Sequence, residues 1–144
     1  MKLFLDTNVL IDFMSERLPH YIEAAAILSF AVDHRCDVAV SSLSMVTSNF
    51  ICCERGKMPL ADWKRKANLM KNFVEVCSIE PHDIFFACDS DWDDFEDNVQ
   101  YIIAKRYGCN VIVSRNVRDF VTSDIPVMTP NGILEFLERK SDKA

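Results

Sequence analysis

What this 144-residue chain lacks narrows its identity before any motif is considered. No apolar run is long enough to cross a bilayer, and the apolar start lacks the zoned layout of a secretory leader. A cytosolic protein without a membrane partner is expected. Six cysteines occur, at Cys36, Cys52, Cys53, Cys77, Cys88 and Cys109, but none forms a C-x-x-C pair and no histidine stands at ligand spacing from them. That argues against zinc and predicts reduced, mostly buried thiols. His20, His34 and His82 follow no ligand or triad spacing and are expected at the surface. Repeats and linkers are also absent. The length suits one domain with room for a three-layer core, taken as residues 1–140 with a frayed tail at 141–144.

Positive charge is in the minority. A formal net charge of −6 speaks against a nucleic-acid partner, but the distribution qualifies the sum. Of 16 basic residues, six fall between Arg55 and Lys71, opposed there only by Asp62. The stretch Asp89–Asp97 carries six acids and no base. One region is suited to phosphates and the other to cations, although a solvated face is the ordinary explanation of any one charge run.

What is present is strands alternating with helices. Leu3–Leu5 is an unbroken apolar run, as expected of a strand covered on both faces, and it stops at Asp6. Thr7 or Asn8 then caps a short helix. Pro19 opens a second helix, His20 to about Val32. Asp37–Val40 reads as a strand, Met45–Cys53 as a buried helix, and Leu60 to about Asn72 as a basic amphipathic helix with Trp63, Ala67 and Met70 inward. Strands at 73–77 and 111–113 flank a short helix at Pro81–Cys88 and a longer one from Asp94 to Tyr107. The longer helix has the stripe Phe95, Val99, Ile102, Ile103 and Tyr107, with Gly108 as a left-handed cap. Ile125–Met128 reads as an edge strand, and Thr129-Pro130 caps a last helix from Asn131 to about Arg139. This order predicts an α/β three-layer sandwich around a mostly parallel sheet of four or five strands.

Right-handed crossovers bring the carboxyl ends of the first, second and fourth strands to one edge. Asp6, Asp94 and Asp97, and the Asn116/Asp119 turn meet there. Helical spacing puts positions 94, 97 and 101 on one side. Carboxylates crowded in a cleft repel one another unless a cation joins them, and an all-oxygen donor set selects hard ions such as Mg²⁺ or Mn²⁺. Such a site suits attack of an activated water on a phosphodiester. Each piece has a plainer reading. Asp94 and Asp97 can be a cap and an acid favoured by the helix dipole, while Asn116 and Asp119 can be turn residues. Asp12 is expected to stabilise the fold or face water. Asp6 has no such easy alternative.

Three segments, taken together, resemble the PIN-domain family and in particular the ribonuclease toxins of bacterial toxin–antitoxin pairs. They are Phe4-Leu5-Asp6-Thr7-Asn8-Val9-Leu10, Asp94-Phe95-Glu96-Asp97-Asn98-Val99-Gln100 and Val113-Ser114-Arg115-Asn116-Val117-Arg118-Asp119-Phe120. The resemblance implies a Mg²⁺- or Mn²⁺-dependent endoribonuclease acting on single-stranded or structured RNA, a homodimer and a cognate antitoxin. Asp6 and Asp97 match the metal-binding acids, Asp94 an assisting one, and Asp119 an acid of the late motif. Asn116 stands where a further acid is usual, and Thr47 where a glutamate is usual. Ser114 matches a positioning hydroxyl, with Thr7, Asn8 and Thr47 supporting the site. Lys64, Arg65, Lys66, Lys71, Arg115 and Arg118 are expected to hold RNA phosphates.

The neutral residues at 47 and 116 keep a second reading open, in which a weakened or inactive module of this fold binds RNA or docks protein. Phosphate-transfer folds fit less well. Asn8 occupies the position where a haloacid-type hydrolase needs an acid, and no lysine follows Val127 or Met128 as a receiver domain would require.

Overall fold

The computed structural model describes residues 1–142. Strand β1 (Lys2–Leu5) lies in the middle of a five-stranded sheet. On one side are β2 (Asp37–Ser41) and β3 (Val74–Cys77), and on the other β4 (Val111–Val113) and β5 (Val127–Met128), in the order β3-β2-β1-β4-β5. Every pairing is parallel. The unbroken apolar run of β1 is explained by this position. Leu3 and Leu5 enter one core together with α1 (Thr7–Met14), α2 (His20–Val32) and α7 (Pro130–Asp142). Phe4 enters the other, against α5 (Pro81–Cys88) and α6 (Phe95–Arg106). Val38 and Val40 against Ala39, and Val111 and Val113 against Ile112, repeat the division, since successive strand residues point to opposite faces. The result is the predicted α/β/α sandwich.

The chain steps outward from β1 to β2 and β3, then returns to lay β4 against the other side of β1. The strand order therefore reverses between β1 and β4. The crevice beyond the carboxyl ends of two such strands is where open α/β sheets bind ligands. Asp6 and Ser114 follow those two ends directly.

Two helices differ from expectation. The buried helix read at Met45–Cys53 is α3 (Ser42–Asn49) continued by a π-helical turn, Phe50–Arg55. Val46 is 72% exposed and Phe50 51%, whereas Ser44, Ser48 and Cys52 are buried. The inward stripe is the small-residue one at i, i+4 and i+8, which lets α3 pack closely on α1. In α6 the stripe begins at Val99, because Phe95 lies in the first turn, beyond the sheet edge, and is 50% exposed. The basic helix is α4 (Leu60–Met70), with Met70 buried and Trp63 and Ala67 half-buried. Gly108 has φ +69° after α6, where a Cβ would be strained. Thr129 caps α7 by accepting the Gly132 N–H at 3.0 Å, and that helix runs past Arg139 to Asp142. The rest of the tail lies outside the described residues.

All six cysteines are free, and four of them are buried. Among the described residues no helix is long and apolar enough to cross a membrane. Because Phe4 is fully buried at the centre of the second core, Phe4→Ala is expected to cost about 3–5 kcal/mol, read from urea denaturation.

Candidate functional site

The site is assembled around Asp6. Its backbone N–H still belongs to the sheet, donating to the Val113 carbonyl at 2.9 Å, while its extended φ and ψ make it the N-cap of α1. Oδ1 accepts the Thr7 N–H at 2.8 Å. Oδ2 accepts the Ser114 hydroxyl at 2.7 Å and the Asn8 amide at 3.2 Å. Asp6 is only 4% exposed. Burial pushes its carboxyl up to about 6, against the pull of the Ser114 and Thr7 donors; the nearby charges of Glu96 and Asp119 add to the rise.

Asp97 approaches from α6. Asp94 caps that helix by accepting the Asp97 N–H at 2.9 Å, which fixes the first turn in a cleft shared with Asp6. The plain cap reading of Asp94 therefore holds, and capping also orients Asp97. Asp97 is 8% exposed and its carboxyl is pushed up to about 8, first by burial, then by the charges of Asp6, Asp94, Glu96 and Asp119. Oxygens of Asp6, Glu96 and Asp97 lie within 4.8 Å of one another. Carboxylate oxygens at that spacing are the donor set of a hard divalent cation, which would relieve their repulsion.

Glu96 escaped sequence reasoning. Its Oε1 accepts the Thr7 hydroxyl at 3.1 Å and the Gln100 amide at 2.9 Å. Gln100 is fully buried and also donates to Ser44 Oγ at 2.8 Å. The i, i+4 relation of Glu96 to Gln100 was the available signal. Tyr101 instead turns away, stacking on Trp92 at 4.9 Å and donating to Asp124 at 2.6 Å.

Other expected site residues separate into those gathered at the cleft and those held elsewhere. Asn8 bridges Asp6 and the Arg115 N–H, and Ser114 Oγ also accepts the Asn116 N–H at 3.0 Å. The Asn116 side chain is exposed. Asp119, in a 3₁₀ turn at Val117–Phe120, is exposed and raises both buried carboxyls through its charge. From α3 the hydroxyl that meets Thr7, at 2.7 Å, is that of Ser44, one turn before the half-exposed Thr47.

Three of the six residues expected at RNA phosphates are engaged within the fold or lie away from the cleft. Arg115 is committed to Asp12, which is 1% exposed and accepts Arg115 Nε at 2.8 Å and Arg17 at 2.7 Å. Asp12 thus stabilises the fold. Lys66 donates to the Phe13 carbonyl at 2.6 Å and the Met14 carbonyl at 3.3 Å, covering the last turn of α1. Lys71 precedes β3 and therefore lies at the amino edge of the parallel sheet, near Lys2 and Glu75, across the sheet from Asp6. Lys64, Arg65 and Arg118 remain exposed.

Comparison with known proteins agrees with this architecture. The PIN domain, as a sequence family, matches residues 2–118. The chain is similar to ribonuclease VapC1 of Aquifex aeolicus, with 29% identity over 140 residues, 96% of this chain and 94% of that protein. Among solved structures, it resembles a toxin–antitoxin complex from Klebsiella pneumoniae at TM-score 0.61 and 21% identity, covering 89% of this chain and 97% of that one. It also resembles VapBC2 of Rickettsia felis bound to a promoter DNA fragment, at TM-score 0.64 and 13% identity, covering 90% and 98%. These structures share the fold.

The raised carboxyls set a direction for stability in metal-free buffer. Between the usual carboxyl value near 4 and the native values of about 6 and 8, the folded protein keeps protons that the unfolded chain has released. Stability should therefore fall as pH rises through that window and level off above it. Asp97→Asn should flatten the dependence and raise the melting temperature at pH 8, measured by calorimetry.

Proposed function

The chain belongs to the PIN-domain family, and from that premise we propose that it is a Mg²⁺- or Mn²⁺-dependent endoribonuclease, the toxin of a toxin–antitoxin pair. One observation carries the reading. Carboxylates from the end of β1 and the start of α6, distant in sequence, share one buried cleft with no positive charge among the groups that shift Asp97. The A. aeolicus relative, matched over nearly the whole of both chains, is a ribonuclease, and we carry that activity to this chain.

Asp6 and Asp97 would hold the ion, with Asp94, Asn116 and Asp119 acting directly or through water. Such an ion neutralises phosphoryl oxygens and lowers the pKa of water. The rest falls to side chains. Thr7, Asn8 and Ser114 orient the Asp6 carboxylate, so that its geometry is set before substrate arrives. Its elevated proton affinity means that cation and proton compete for it, so cleavage should rise with pH from about 6 toward about 8. Arg118, exposed beside Asp119 in the late motif, would meet the RNA backbone; Lys64 and Arg65 would extend the contact. An antitoxin protein, as in the similar toxin–antitoxin complex from K. pneumoniae, and a second copy of the chain are the proposed partners.

Asp6→Ala should abolish cleavage of a single-stranded RNA in Mn²⁺ while circular dichroism stays native. Because Asp6 also caps α1, Asp6→Asn, which keeps a capping oxygen, should give the same loss. A chelator should abolish wild-type activity reversibly. Undiminished cleavage in either variant rejects the assignment. RNA binding without cleavage by the wild type would favour the docking or RNA-binding module that the neutral Thr47 and Asn116 suggest.

A further inference from the structure

Gln100 presents a buried polar group that the fold leaves unmatched. Its side chain is fully buried, and the carbonyl Oε1 has no hydrogen-bond partner among the described residues. The amide nitrogen, by contrast, faces three oxygens: Glu96 Oε1 at 2.9 Å, Ser44 Oγ at 2.8 Å and Thr7 Oγ1 at 3.1 Å. Turning the amide over would give Oε1 hydroxyl donors from Ser44 and Thr7. It would also set a carbonyl oxygen against the Glu96 carboxylate and remove a donor from it. The orientation that leaves a buried oxygen unpaired is thus the one that serves Glu96.

The surrounding hydroxyls run the same way. Ser41 donates to Ser44 at 3.0 Å, Ser44 and Thr7 are joined at 2.7 Å, and Thr7 donates to Glu96 at 3.1 Å. Ser41 ends β2, Ser44 lies in the first turn of α3 and Thr7 opens α1, so three elements of the sheet edge converge on one exposed acid. An exposed glutamate ordinarily needs no such support, since water solvates it. This one is drawn to within 4.8 Å of the Asp6 and Asp97 oxygens, where its charge adds to the repulsion already present.

We propose that Glu96 supplies the third carboxylate of the cation site in place of the acid absent at Thr47, and that Gln100, with Thr7 and Ser44, is a positioning residue that holds it there. The proposal rests on the reading of this cleft as a divalent-cation site. It explains how a chain neutral at positions 47 and 116 retains enough charge: the carboxylate enters from the first turn of α6, and α3 contributes a hydroxyl that supports it.

Calorimetric titration with Mn²⁺ tests both levels without RNA. Wild type should bind saturably and Asp97→Asn should not. Glu96→Gln, which removes the charge of a ligand, and Gln100→Met, which removes an outer partner of that ligand, should each raise the dissociation constant about 10-fold or more. The double variant should bind no more weakly than Glu96→Gln alone, because Gln100 acts through Glu96. Thr7→Val, which removes the other donor to Glu96, should weaken binding in the same sense and serves if Gln100→Met fails to fold. If wild type binds and Asp97→Asn does not, while Glu96→Gln binds like wild type, this proposal falls and the cation site stands. The positioning role also falls if the double variant loses the full product of the two single effects. No saturable binding by wild type overturns both.

Discussion

Everything at the sheet edge depends on keeping one ionisable carboxyl, Asp6, in a place that disfavours its charge. β1 carries it out of the core with its N–H still bonded to β4, and three donors then fix both oxygens: the Thr7 amide, the Asn8 side chain and the Ser114 hydroxyl. Those donors offset part of the desolvation cost, and the balance remains against ionisation. Asp97 stands deeper in the same conflict, since all the charges that shift it are negative. A protein selected for stability alone would not gather these groups. The structure holds them apart from water and close to one another, a state that a cation resolves and a proton resolves at the expense of the proposed chemistry.

α1 is the element that links the parts. Its first turn meets α6 and α3 through Thr7 and the loop after β4 through Asn8, and one further turn along Asp12 holds the same loop through Arg115. The buried Asp12 ion pair does not touch the acid cluster, yet it ties down the chain leading to Asn116 and Asp119. Breaking such a pair would leave a buried charge uncompensated, so it holds α1 and this loop in one arrangement. Lys66, covering the far end of α1, belongs to the same scaffold. Residues that look like an RNA-binding surface in the sequence have been used in part to fix this helix.

α6 carries the opposite half of the cleft, and its first turn serves several purposes. Asp94 caps it, Asp97 enters the cleft and Glu96 is drawn in by Gln100 one turn later. The helix dipole favours acids at this end, so local structure and the proposed cation site make the same demand on the sequence. This is why the cap reading and the metal reading of Asp94 and Asp97 were not true alternatives.

The sequence alone determined the parallel sandwich, because an unbroken apolar strand ending in an acid, and helices at regular intervals between strands, have few other solutions. It also determined that Asp6 and Asp97 would share an edge, since right-handed crossovers leave little choice. Only the tertiary structure decided which side chains complete the cleft. The partners of Glu96 come from three separate elements, and no periodicity within one segment encodes a hydroxyl on another. The same holds for the charges: Arg115, Lys66 and Lys71 resemble free cations in a linear reading, but what binds them, or which edge they occupy, depends on packing between elements far apart in the chain. The inward face of α3 departs from its apolar residues for a related reason. Apolar side chains mark a core stripe only where space is available, and the close approach of α1 selected serines and a cysteine instead.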